Sequence, residues 1–177
     1  MFINSEKELE DYICENQEDF IKELKRIYDI DKEIKFLGRQ VRIGNDNIAD
    51  LIFYYEDMID EQYNLKGINY IIVELKFRKL EPRDLSQISR YMTILDDKLS
   101  SEPEGYEYKI NGLFVSTGEN DDLQELIINF NCLENFNIKF LEIESRLTYR
   151  ENCWTHKEEY ISEIKLDERI KNINKGE

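Results

Sequence analysis

Over the first thirty residues, apolar positions recur at helical spacing. Leu9, Ile13, Phe20, Leu24 and Ile27 share one side, and Ser5 stands where a cap is wanted, so an amphipathic helix is predicted over 5–29. The pattern then shortens. Residues 36–43 read as a strand, followed by the turn Gly44-Asn45-Asp46-Asn47. Residues 48–55 and 70–77 are short runs rich in β-branched and aromatic side chains, which predicts two buried strands. Between them, 56–69 reads as a polar connection longer than a minimal hairpin loop. Pro82 and Asp84 open a helix that runs to about Leu99, and 100–107 is an acidic loop. A strand over 109–117, a helix over 121–130 and a strand over 138–144 form a β-α-β unit that extends the sheet edge and covers it. In 157–174, Tyr160, Ile161, Ile164, Leu166 and Ile170 mark the apolar side of a charged amphipathic helix or frayed tail. The expectation is an α/β domain over 1–150, with a mixed central sheet flanked by helices, and a charged C-terminal helix or tail over 151–177.

Composition narrows the class. A chain of 177 residues with 41% hydrophobic residues can bury a core without staples, and 2 Pro and 7 Gly leave no room for a long flexible linker. No run is long and apolar enough to span a bilayer, and residues 1–7 lead straight into an acidic helix instead of a secretory leader. Cys14, Cys132 and Cys153 are widely spaced and odd in number, which fits a reducing, cytoplasmic setting. Cys153-Trp154-Thr155-His156 offers half of a zinc site with no second half, and with His156 as the single histidine no Ser/His/Asp hydrolase site can be assembled. No phosphate-binding glycine loop is present.

The chemistry concentrates on Asp50 and on Glu74-Leu75-Lys76. Alternation along a strand turns Glu74 and Lys76 to one side and Leu75 to the other. If the two strands form a hairpin, Asp50 can lie opposite Glu74, and two carboxylates and an ammonium converge on an apolar sheet. Such a pair repels itself, and burial adds to the cost. A hard divalent cation such as Mg2+ would remove that repulsion, leaving Lys76 to orient or activate a water for attack on a phosphodiester. The plainer alternative is an ordinary Glu74–Lys76 ion pair on a half-exposed strand.

With these residues the chain, from about residue 5 to about 144, resembles the P-D-(D/E)-x-K nuclease superfamily of RecB-type nucleases, Holliday-junction resolvases and NucS-type endonucleases. Ser5-Glu6-Lys7-Glu8-Leu9-Glu10 is similar to that family's opening helix, with Glu6, or Glu10 one turn on, as its acid. Gly38-Arg39-Gln40-Val41 is similar to the first strand entering the site, and Ala49-Asp50-Leu51-Ile52 to the I-D-L-I motif, with Ala49 where the superfamily name has proline. Val73-Glu74-Leu75-Lys76 resembles V-E-x-K, and Gln87 to Tyr91 resembles the Q-x-x-x-Y helix. The resemblance implies a restriction-endonuclease-like core and a Mg2+- or Mn2+-dependent nuclease acting on nucleic acid, DNA above all. In it Asp50, Glu74, Glu6 and the Leu75 carbonyl are the metal ligands, Lys76 orients the water and Gln87 steadies the site.

Charge cuts the other way. A net charge of −15 repels a polyanion at long range. Cations do cluster around the proposed site in sequence: Arg39 and Arg42 before Asp50, and Lys76, Arg78, Lys79, Arg83 and Arg90 after it. Arg39, Arg42, Arg78, Lys79 and Arg83 are the expected nucleic-acid contacts, giving local, salt-sensitive binding. Two other readings stay open. One is a nuclease-like interaction module whose acidic surface or C-terminal helix engages a protein partner. The other is a subunit of a larger restriction or repair assembly. A homodimer would suit cutting of both strands.

Overall fold

The computed structural model describes residues 5–44, 46–60, 65–101, 107–117, 121–134, 136–147 and 159–166. Two short helices come first, α1 (Glu6–Glu15) and α2 (Gln17–Tyr28), where one continuous helix was expected. The break is Asn16, at φ −117° and ψ 40°, which ends α1 and starts α2. Its side-chain amide donates to the Tyr12 carbonyl at 2.9 Å, a local bond that competes with helix continuation. Ser5 caps α1 as expected, its hydroxyl accepting from the Glu8 amide at 3.2 Å.

The strands β1 (Lys35–Arg42), β2 (Ile48–Asp60), β3 (Leu65–Lys76), β4 (Glu107–Ser116), β5 (Asn137–Leu147) and β6 (Glu159–Leu166) form one sheet in chain order. The first three are an antiparallel meander, β3, β4 and β5 run parallel, and β6 returns antiparallel to β5. The parallel crossovers are made by α3 (Pro82–Ser100) and α4 (Asp121–Glu134). Because side chains alternate, the apolar strands feed two cores. Leu51, Phe53, Ile71, Val73, Leu75, Leu113 and Val115 pack with Leu9, Ile13, Phe20, Leu24 and Ile27 of α1 and α2. Ile52, Ile72, Phe114, Ile138 and Phe140 pack with Leu85, Ile88, Met92, Leu123 and Ile127 of α3 and α4 on the other face. The result is a three-layer α/β/α domain.

Two further expectations change. The polar connection over 56–69 largely belongs to the hairpin itself: Glu56 pairs with Ile68 and Asp57 with Gly67, so β2 and β3 run well past their apolar halves. The second concerns 157–174, expected as a charged amphipathic helix or a frayed tail. Residues Glu159–Leu166 are instead a strand on the free edge of β5, with Ile164 across from Ile143 and Leu166 across from Leu141. The apolar residues Tyr160, Ile164 and Leu166 also fit a period of two, and an open sheet edge rewards that alternative. The Cys153–His156 segment and most of the acidic loop lie outside the described residues. No helix among the described residues is long and apolar enough to cross a membrane.

Candidate active site

The hairpin register fixes the site. Leu51 faces Val73, so the next step places Asp50 opposite Glu74. On its other side, β2 pairs with β1 through Arg39–Leu51 and Val41–Ala49, which brackets Gln40 against Asp50. Gln40, Asp50 and Glu74 therefore form a row across three strands. The convergence of Asp50, Glu74 and Lys76 that the strand pattern implied is present.

Glu74 is 2% exposed and Lys76 8%. One Glu74 oxygen, Oε1, accepts from Lys76 Nζ at 2.9 Å and from Gln87 Nε2 at 2.7 Å. Gln87 is held in turn by a 2.9 Å contact to the Tyr91 hydroxyl, one turn along α3. The other oxygen, Oε2, is buried with no hydrogen-bond partner. Asp50 Oδ2 accepts from the Leu75 amide at 2.8 Å and Oδ1 from Gln40 Nε2 at 3.3 Å.

The electrostatics follow from this geometry. Burial, reinforced by the Asp50 charge, pushes the Glu74 carboxyl up to about 8, against the opposing pull of Lys76. Asp50 is also raised, by burial first, although the Leu75 amide and the Lys76 charge work against it and Glu10 adds repulsion. For Lys76, burial favours the neutral form, but the charge and hydrogen bond of Glu74, with Glu6 and Asp50, outweigh it and hold the ammonium above its ordinary range. The Lys76 effect presupposes an anionic Glu74, the form that burial disfavours. The upward push on Glu74 is the firmer of the two, since half of that carboxylate has nothing to bond.

Beside Asp50 lies a cleft of about 420 Å³, lined by Glu6, Lys7, Glu10, Arg39, Gln40, Asp50 and Leu75. Both first-helix acids reach it. Glu6 is exposed, while Glu10 is 6% exposed and forms the inner wall. Glu10 Oε2 accepts from Gln40 Nε2 at 2.6 Å. Its Oε1 forms an ion pair with Arg39 Nε at 2.7 Å.

The cations are more committed than their sequence positions suggested. Arg78 makes a bidentate pair with buried Asp84, 2.7 Å on each arm, and donates to the Lys79 carbonyl. Asp84 also accepts from the Glu81 amide at 2.8 Å, closing a capping box at the start of α3. Arg83 pairs with Glu81 at 2.7 Å, and Arg39 Nη1 with Asp11 at 2.9 Å. Arg90 lies over the Tyr91 ring, 5.8 Å from its centroid, and Arg42 is exposed on β1.

Among the described residues, no three Asp, Glu, His or Cys side chains stand close enough to hold a metal ion by themselves. The donor set is smaller: Asp50, the free oxygen of Glu74 and main-chain oxygen near Leu75, with Glu6 and Glu10 at the cleft wall. An orphaned buried carboxylate oxygen beside a second carboxylate fits a hard cation whose remaining positions are filled by water. The sequence reading placed Gln40 in the strand that enters the site but gave it no role there. Its signal was positional, as the polar, uncharged residue of β1 opposite Asp50.

A family model described as the YhcG PDDEXK nuclease domain matches residues 3–128. Among solved structures, the chain is similar to one from the EndoMS–dsDNA2 complex, with a TM-score of 0.46 and 22% identity. That likeness covers 82% of this chain and 48% of the other, so this chain spans about half of its length. No curated protein matches.

Proposed function

Because this chain belongs to the YhcG PDDEXK nuclease domain family and carries its α/β restriction-endonuclease-like core, we propose that it is a metal-dependent nuclease hydrolysing phosphodiester bonds in DNA. The observation that carries this reading is the unshared Glu74 Oε2, buried opposite Asp50 while Lys76 and Gln87 occupy the other oxygen. A structural ion pair would need only one of these acids. Two raised carboxylates side by side, one of them lining a cleft, are an arrangement that a cation stabilises.

Asp50, Glu74 and the Leu75 carbonyl are the groups that would hold Mg2+ or Mn2+, with Glu6 or Glu10 through water. A bound divalent ion would supply charge neutralisation at the phosphate and lower the pKa of a coordinated water. Lys76 Nζ, on the Glu74 side of the row, would orient the attacking water and offset charge on the phosphate oxygens. Gln87 fixes the rotamer of Glu74 so that Oε2 stays turned away from Lys76. The Leu75 amide does the same for Asp50, leaving Oδ1 toward the cleft.

A second reading shares the chemistry but not the autonomy. Arg39, Arg78 and Arg83 are each paired with the chain's own acids, and the net charge is −15. DNA affinity would then come from a second copy or a separate DNA-binding subunit.

The test is cleavage of single-stranded, double-stranded and branched DNA and RNA by the purified protein with Mg2+ or Mn2+. Asp50→Ala, Glu74→Ala and Lys76→Ala should each lower the rate by at least about a hundredfold while circular dichroism stays unchanged. Variants that all cut at the parent rate would remove the assignment. Cleavage that emerges only when a DNA-binding partner is added would select the second reading.

A further inference from the structure

Two residues other than glycine have positive φ among those described, Asp29 at 57° and Gln40 at 49°. Asp29 is accounted for, since it ends α2 in the left-handed geometry that helix ends commonly use. Gln40 sits inside β1, where a left-handed residue is costly. The local bulge does not explain it. That irregularity lies between Phe36 and Gly38, and the pairs from Gly38–Ile52 through Arg42–Ile48 keep one register. Packing does not explain it either, because Gln40 is exposed.

What the residue does make is a bridge. Its single NH2 group donates to Glu10 Oε2 at 2.6 Å and to Asp50 Oδ1 at 3.3 Å, which uses both of its hydrogens. Glu10 Oε1 is taken by the Arg39 ion pair at 2.7 Å, which leaves Oε2 to the Gln40 amide. Without the amide, two carboxylates from different elements, one on α1 and one on β2, would face each other across the cleft with no shared donor.

We propose that Gln40 is a positioning residue whose strained backbone lets one side-chain amide clamp Glu10 and Asp50 in the orientation that metal binding and cleavage require. The proposal rests on the nuclease reading and deepens it. Backbone strain of this kind persists where the surroundings over-determine it, and here the surroundings are the two acids of the cleft. The amide neutralises neither charge, so both oxygens remain available to a cation while their directions are set.

Two variants separate the clamp from the strain. Gln40→Ala removes the amide and keeps the strained backbone; Gln40→Gly removes both, because glycine adopts this φ freely. Gln40→Gly should melt at a higher temperature than Gln40→Ala. Both should nonetheless lose at least about tenfold in kcat, and both should bind Mn2+ at least about fivefold more weakly by electron paramagnetic resonance titration of the protein without DNA. Recovery of cleavage in Gln40→Gly along with its stability would show that the backbone alone mattered and overturn the assignment. Unchanged Mn2+ affinity in both variants would also overturn it. A parent protein that neither cuts nor binds Mn2+ takes down the nuclease reading itself; a parent that does both, with both variants matching it, removes Gln40 alone.

Discussion

Glu74 carries the clearest conflict between stability and activity. Its folded pKa, about 8, lies above the ordinary carboxylate value of 4.5. Between those values the native state holds a proton that the unfolded chain has released. Stability of the metal-free protein should therefore fall as pH rises from about 4.5 to about 8 and level off beyond it. Glu74→Gln removes the charge and keeps most of the shape, so it should flatten that slope and melt higher than the parent at pH 8, while cutting no DNA. Saturating Mg2+ should raise the parent's melting temperature most at the alkaline end and leave Glu74→Gln nearly unmoved. Thermal melts across pH, with and without Mg2+, read all of this; a parent whose stability is flat through that window would refute it. The triad behind this prediction was legible because β-branched runs on both sides of the hairpin admit few registers, and the one that buries Leu51 with Val73 sets Asp50 opposite Glu74. The Glu6 and Glu10 alternatives were not separable in that way. They lie one turn apart on one face, and only the packing of α1 on the sheet buries Glu10 and leaves Glu6 exposed.

At the scale of elements, the corner from β3 into α3 controls how Gln87 meets Glu74. Asp84 anchors that corner with a bidentate bond to Arg78 and with the capping bond to the Glu81 amide, and it is only 2% exposed. The Arg78 charge and hydrogen bonds hold its carboxyl below the usual range although burial pushes the other way. Asp84→Ala should cost about 2–4 kcal/mol, combining a lost helix cap with a broken, largely buried pair. Asp84→Asn, which keeps one arm, should cost about half as much. Cleavage should fall with Asp84→Ala even under conditions where the protein is fully folded, because α3 then no longer holds Gln87 within bonding distance of Glu74. Urea denaturation and kcat measured well below the midpoint test the two halves separately. The helix itself was legible from Pro82 and its apolar spacing. The role of Arg78 was not, since sequence reports a charge and not the acid that claims it. Residues 159–166 show the same limit for backbone: a short apolar pattern satisfied helix and strand alike, and the free edge of β5 decided.

The whole molecule poses a different question: how a chain of net charge −15 would hold a polyanion. Each phosphate contact by a cation contributes about 0.9 to the slope of log affinity against log salt. Arg39, Arg78 and Arg83 are already paired with Glu10, Asp84 and Glu81, and breaking those pairs to contact DNA returns little net charge. A binding slope of roughly 1–3 is expected for the isolated protein, which corresponds to a loss of affinity of about fourfold to sixtyfold between about 50 and 200 mM salt. A nuclease with a broad basic face would lose on the order of a thousandfold or more over the same range. Fluorescence anisotropy with labelled duplex, in Ca2+ to suppress cleavage, gives the slope directly. A value of 6 or more would mean that the ion pairs around the cleft open wholesale on DNA, and that the acidic balance of the chain is no obstacle. A shallow slope that steepens when a candidate DNA-binding subunit is added would place the phosphate contacts on that subunit, leaving this domain to supply the Asp50–Glu74–Lys76 chemistry.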